Sequence, residues 1–207
     1  MRCGFRHENK LRSSGIARIV GIDEAGRGAL AGPVVAAAAV LPERFRLRKW
    51  KLKDSKQLSP ERREEIYEYL ASRSEIVWAV GVVDHLEIDR INILRASHQA
   101  MRIAVAGLTI AAEHALIDGL PVSPFPLPQT AIVDGDCLSF SIAAASVIAK
   151  VTRDTLMREF CVRFPHYCFS QHKGYGTELH LQKLHEHGPC PIHRRSFEPV
   201  AQPVFSF

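Results

Sequence analysis

Apolar residues along this chain change period several times, and the changes mark its elements. Ile16 to Ile22 is apolar and partly β-branched and runs into Asp23-Glu24 and the turn Gly26-Arg27-Gly28. That is the pattern of a strand with acids at its exit. After Gly32-Pro33, the short apolar run Val34 to Leu41 predicts a second strand, linked to the first as a hairpin. Ser59-Pro60-Glu61 opens a charged amphipathic helix reaching about Ala71, with Ser as N-cap, Pro in the first helical position and an acid in the first turn. Ile76 to Val83 predicts a strand, Asp84 to Asp89 a short helical turn, and Ile91 to Leu108 a longer helix with apolar residues at helical spacing. Ala115 to Asp118 is a strand ending in an acid. Gly119 to Gln129 holds four prolines and must be loop, and Ala131 to Val133 suits one more short strand. Ser141 to Phe164 predicts a long alanine-rich helix stopped by Pro165, and Glu178 to His187 a last helix before a proline-rich tail. No repeat, low-complexity tract or linker interrupts this. The expectation is one α/β unit with a C-terminal helical extension: residues 1–15 a flexible segment, 16–198 the folded domain, and 199–207 a tail.

Composition narrows the class without naming it. The chain has 207 residues, 46% hydrophobic and 24% charged, enough for a sizeable core. No stretch approaches the roughly 20 apolar residues of a membrane span, and the first ten residues lack the apolar centre of a signal peptide, so a cytoplasmic protein is expected. The five cysteines are scattered without a Cys-x-x-Cys pair and read as reduced thiols. A net charge of +5 favours an anionic partner without identifying it. His180, His185, His187 and His193, with Cys190, invite a zinc hypothesis, but their spacing fits no standard finger and they read as solvated helix and tail residues.

Several carboxylates fall where apolar segments end: Asp23 and Glu24, then Asp118, with Asp154 inside the alanine-rich helix. Strand ends of an open sheet line one crevice, so distant positions can converge there. Carboxylate oxygens are hard ligands suited to Mg²⁺ or Mn²⁺, and a pair of such ions assists phosphodiester cleavage. Taken singly, each acid is as readily a turn former or a solvated residue. Asp23-Glu24 is the better candidate because it lies between an apolar strand and a glycine turn. Ser146, Lys150 and Asp154 are spaced by four and share a helix face beside Ala143 to Ala145, where small side chains permit close approach to a sheet. The plainer reading of Lys150 and Asp154 is a surface ion pair. Gly26-x-Gly28 is no dinucleotide site: the spacing is wrong, Pro33 and a strand follow instead of a helix, and the P-loop ending is absent. What the turn offers is backbone able to approach a sugar or phosphate closely.

Six segments, in this order and spacing, carry a resemblance: Gly21-Ile-Asp-Glu-Ala-Gly-Arg-Gly28, Asp54-Ser-Lys-Gln-Leu58, Ile91-Asn-Ile-Leu94, Leu116-Ile-Asp-Gly119, Ala143-Ala-Ala-Ser-Val-Ile-Ala-Lys-Val-Thr-Arg-Asp154 and His172-Lys-Gly-Tyr-Gly-Thr177. From about residue 18 to about 198 the chain resembles bacterial ribonuclease HII. The resemblance implies a ribonuclease H-like mixed five-stranded sheet flanked by helices. It implies an endonuclease for RNA–DNA hybrids and for ribonucleotides embedded in duplex DNA, leaving 3′-hydroxyl and 5′-phosphate ends. Asp23, Glu24, Asp118 and Asp154 would form its Mn²⁺ or Mg²⁺ site, with Asp154 also able to order the attacking water. Gly26, Arg27 and Gly28 would read the ribose 2′-hydroxyl beside the scissile phosphate, and Tyr175 would stack on the following deoxyribose. Lys56 and Lys173 would meet backbone phosphates. The 2′-hydroxyl is the group that separates RNA from DNA, so a close-approaching glycine turn suits the task.

One departure stands out: Asp134 precedes Gly135-Asp136 where the family often has lysine or a neutral residue, and both acids read as turn residues. Two rivals are a DNA-directed carboxylate nuclease or recombinase, against which the glycine turn and Tyr175 argue, and a non-catalytic hybrid-binding module, which would be expected to lack one of the four acids. A monomer is expected. The tail Gln202-Pro-Val-Phe-Ser-Phe207 reads first as a frayed terminus, with a loose likeness to a sliding-clamp-binding peptide.

Overall fold

The computed structural model describes residues 3–43, 45 and 58–201. Lys56, most of the Asp54–Leu58 motif, and the tail from Gln202 therefore lie outside the described residues.

A five-stranded mixed sheet forms the centre, in the order β3-β2-β1-β4-β5. Strand β1 (Ile19–Ala25) pairs antiparallel with β2 (Val34–Val40), which pairs antiparallel with β3 (Val77–Val83). On its other edge β1 runs parallel to β4 (His114–Asp118), and β4 runs parallel to β5 (Gln129–Ile132). The first strand differs from its sequence reading, because pairing with β2 continues to Ala25 opposite Val35. Asp23 and Glu24 are thus inside the strand, opposite Ala37 and Ala36, rather than beyond its exit. Ile22 is level with Ile117, so one step further along the parallel pair Asp23 comes beside Asp118.

Helices cover both faces. On one face lie α2 (Pro60–Ala71) and α5 (Phe140–Arg163), enclosing a core that includes Ala37, Ala39, Ile66 and Ile148. On the other lies α4 (Ile93–Ala106), over Val20, Ile22, Val34 and Ile117. The alanines of β2 and α5 let α5 settle close to the sheet. At Gly21 a Cβ would stand 2.1 Å from the Ser141 carbonyl carbon, so only glycine admits the helix there.

The stretch from Ile91 to Leu108 is not one helix. Helix α3 (His85–Ile91) ends there, and Asn92 adopts φ 71° and caps α4 by accepting from the Arg95 N–H. With ψ at 162°, Asn92 lies outside the helical region, so the right-handed helix cannot continue through it. Ahead of Ile16, expected to be flexible, helix α1 (Arg6–Arg12) is present. Its Glu8 is buried and accepts hydrogen bonds from Ser139 Oγ at 2.6 Å and Ser141 N at 3.0 Å, at the start of α5. After α5 come α6 (Phe169–His172) and α7 (Glu178–His187). Phe169 of α6 packs with Met157, Tyr167 and Ile192 into a small separate core, against which α7 sets His180. No described helix is long and apolar enough to cross a membrane, and all five cysteines are free.

Candidate active site

Asp23 and Asp118, on neighbouring parallel strands, line a cavity of about 320 Å³ together with Glu24, the turn Gly26 to Gly28, Ser146 and Tyr175. Helix α5 brings Lys150 to the same cavity, and α2 brings Arg63. Asp23 is buried, and its Oδ1 accepts the Glu24 N–H at 2.7 Å. Burial, and then the charges of Glu24 and Asp118, push its carboxyl well above the usual range, against the hydrogen bond from Ser146. Glu24 is likewise raised by burial, opposed by Arg27, whose Nη1 lies 3.1 Å from Glu24 Oε1. Asp118 Oδ1 accepts from Gly135 N at 2.6 Å. Three carboxylates thus press on one another in a partly desolvated space.

The fourth acid is next door. Asp154 lines an adjoining cavity of about 240 Å³ with Arg63, Lys150, Arg158, Lys173 and Tyr175. Its Oδ1 is 2.7 Å from Lys150 Nζ, a pair only 24% and 13% exposed, and so less solvated than the surface pair considered from sequence. Among the described residues, no three His, Cys, Asp or Glu side chains stand close enough to hold an ion as a ready-made group. The donor chemistry nonetheless suits a hard divalent cation: the larger cavity offers carboxylates and neither thiol nor imidazole.

Two buried arginines shape the substrate side. Arg194 donates to the carbonyls of Gly26 (2.7 Å), Arg27 (2.9 Å) and Gly32 (3.0 Å). Arg153 donates to those of Ala31, Pro33 and Lys173, at 3.0, 2.9 and 2.9 Å. Two of the turn's carbonyls are therefore held by Arg194, and contact with a sugar falls to its N–H groups, the Gly28 carbonyl and the Arg27 side chain. A Cβ at Gly26, where φ is +96°, would lie 2.0 Å from Arg153 Nε. Arg153 also reaches the second loop, since its Cζ lies 5.2 Å from the centre of the half-buried Tyr175 ring, with Lys150 Nζ at 5.2 Å too. Tyr175 lines both cavities, and Lys173 the smaller one.

The model of the family Ribonuclease HII matches residues 20–200. The chain belongs to the ribonuclease HII family. A ribonuclease HII of Desulfitobacterium hafniense is 50% identical over 198 residues, 96% of this chain and 75% of that protein. Among solved structures, the ribonuclease H2 of Pyrococcus horikoshii is similar with a TM-score of 0.74 and 28% identity, covering 89% of this chain and 95% of the other. The ribonuclease HII in a complex with PCNA from Archaeoglobus fulgidus follows at a TM-score of 0.73 and 26% identity, covering 87% and 95%. This family member is thus a type 2 ribonuclease H, an endoribonuclease acting on RNA–DNA hybrids, on a ribonuclease H-like fold.

The structure brings Asp23, Glu24, Asp118, Gly26, Arg27, Gly28 and Tyr175 around one ribonuclease HII cavity and sets Asp154 and Lys173 beside it. Arg153 and Arg194 were missed from sequence. A signal existed for Arg153: it falls four residues from Ala149 and four from Met157, both buried, so an arginine lies on the apolar stripe of α5. Arg194, in the proline-rich tail, has no such signal. The histidines need correction too. His185 and His187 are exposed as expected, whereas His180 and His193 are buried, because their rings fill the small core with Phe169 and Tyr167.

Proposed function

We propose that this ribonuclease HII uses Asp23, Glu24, Asp118 and Asp154 as its catalytic carboxylates and as the ligands of Mg²⁺ or Mn²⁺. The observation that carries the reading is the buried Asp23, raised by burial and by the charges of Glu24 and Asp118 in a cavity open to substrate. A structural role gives no reason to set three mutually repelling carboxylates in one cavity, whatever hydrogen bonds each of them accepts. A divalent ion bound there supplies a polarised phosphate and an activated water. Asp154, held by Lys150 Nζ at 2.7 Å, also orders the attacking water.

The substrate is read on its ribose. Arg194 holds the Gly26–Gly28 turn so that its N–H groups meet the 2′-hydroxyl, while Tyr175, beside the Arg153 guanidinium, stacks on the next deoxyribose. This ordering selects a ribonucleotide followed by DNA and places the cut on the 5′ side of the ribose, leaving 3′-hydroxyl and 5′-phosphate ends. Lys173, and Lys56 outside the described residues, meet flanking phosphates. The same reading includes a cytoplasmic monomer.

Asp23→Asn and Asp118→Asn test the acids. Each variant is expected to lose cleavage by at least about 10³-fold while keeping hybrid binding, since binding rests on other groups. Full activity in either would sink the assignment. A paired assay on an all-DNA duplex and a duplex with one ribonucleotide tests the ribose reading.

A further inference from the structure

Three buried histidines have no part in the chemistry above, and their hydrogen bonds fix where each proton sits. A carbonyl only accepts, so His180 Nδ1, 3.0 Å from the Tyr175 oxygen, carries a proton. A backbone N–H only donates, so His193 Nδ1, 2.9 Å from Cys190 N, is bare and its proton is on Nε2. That Nε2–H donates across 3.0 Å to the bare Nε2 of His180. His172 follows the same logic: Nδ1 accepts from Gly174 N at 3.1 Å and Nε2 donates to the Tyr167 oxygen at 2.7 Å. Its ring stacks on His180 with centres 4.3 Å apart. Every ring nitrogen is used and all three rings are neutral. Two of these bonds end on consecutive residues, Gly174 and Tyr175.

We propose that His180, anchored by His193 and stacked on His172, is a positioning residue that sets the Tyr175 backbone and so the place of its ring in the nuclease cavity. This rests on reading Tyr175 as part of the substrate site. The chain of bonds runs from the Cys190–His193 turn, through two imidazoles, to the loop that lines both cavities. It is independent of Arg153, which holds the same loop from the α5 side at Lys173.

The arrangement is also sensitive to acid. A second proton on His180 would set Nε2–H against Nε2–H of His193. One on His193 would face the Cys190 N–H, and one on His172 the Gly174 N–H. The titratable and charged groups around the three rings are Lys173 and Arg195, the Cys190 thiol, Tyr167, Tyr175 and, against Tyr167, His187. None is a carboxylate that could compensate a charged imidazole. Burial, and next the neighbouring histidine, pushes His180 and His193 down to about 4. An unfolded histidine titrates near 6.5 and takes up protons that the folded ring refuses. The stability of this brace is therefore complete above about pH 6.5 and is lost as pH falls toward about 4.

The full-length protein allows a test in two parts. In His180→Phe, which fills the space without hydrogen bonds, amide exchange at Gly174 and Tyr175 should rise by about tenfold or more. kcat/KM on a duplex with one ribonucleotide should fall about tenfold, and the same change in a Tyr175→Ala background should add less than about twofold. His180→Asn, whose amide can still donate to the Tyr175 carbonyl, should recover most of both losses. Unchanged exchange, or additive kinetic losses, would overturn the proposal. If exchange rises but Tyr175→Ala leaves cleavage untouched, the positioning claim stands and the substrate reading of Tyr175 fails. Nitrogen-15 imidazole spectra of the unsubstituted protein need no variant. His180 should be protonated on Nδ1 alone and His193 on Nε2 alone down to about pH 5, and either the other tautomer or titration near 6.5 would contradict the proposal.

Discussion

Gly26 and Gly28 lie in one turn, yet a methyl group meets different surroundings at each. At Gly26 it strikes the Arg153 guanidinium and a positive φ, whereas at Gly28 nothing lies within 4 Å. Gly26→Ala should therefore lower the unfolding free energy by ~2–4 kcal/mol in urea titration. Gly28→Ala should leave it within ~0.5 kcal/mol and still reduce cleavage at a ribonucleotide, because the added carbon occupies the space of the sugar edge. Asp23→Asn should act in the opposite direction on stability. It removes a buried charge opposed by Glu24 and Asp118 while keeping an oxygen to accept the Glu24 N–H. The metal-free variant should be more stable than the parent by ~0.5–2 kcal/mol at neutral pH while inactive, the trade expected of a strained active site. Equal or lower stability would mean that the acids do not repel one another as described.

At the scale of elements, local chemistry was most legible where a side chain meets its own backbone. The Ser59 cap with Pro60 marked the start of α2. It was least legible where a distant partner decides. Strand β1 runs through Asp23 and Glu24 because β2 continues to pair with it, and residues 16–28 alone carry no record of that pairing. The break at Asn92 depends on one residue of positive φ inside an otherwise helical apolar pattern. Helix α5 joins these levels: its small residues pack on β1 at Gly21, and its polar face delivers Ser146, Lys150 and Asp154 to the site. Gly21→Ala should force α5 off the sheet. A loss of ~3 kcal/mol or more is expected, with activity falling even in the fraction that folds, since the helix carries site residues.

For the whole molecule, Asp23, Glu24 and Asp118 come together from β1 and β4 through the sheet order, while α5 sets Asp154 in the adjoining cavity. Spacing could nominate them one by one, and the ordered motifs alone joined them into a site. The buried histidines and Arg194 went unseen because nothing local distinguishes a buried polar residue in the C-terminal segment from a solvated one, whereas Arg153 carried a signal in its place on the apolar stripe of α5. Metal should act on the whole fold. With Mg²⁺ or Mn²⁺ at about pH 7.5 the thermal midpoint should rise, because a cation offsets the repulsion among ionised carboxylates. The rise should shrink as pH falls, since Asp23 and Glu24, raised above their ordinary values, take up protons first and no longer repel. Differential scanning calorimetry with and without chelator measures this, and a midpoint indifferent to metal would contradict it. The most direct test of the central claim is cleavage-site mapping on a DNA duplex carrying one ribonucleotide, with and without divalent metal. The account predicts a single metal-dependent cut on the 5′ side of the ribonucleotide, with 3′-hydroxyl and 5′-phosphate ends, and no cut in the all-DNA control. Equal cutting of the control, or a cut on the 3′ side of the ribose, would contradict it.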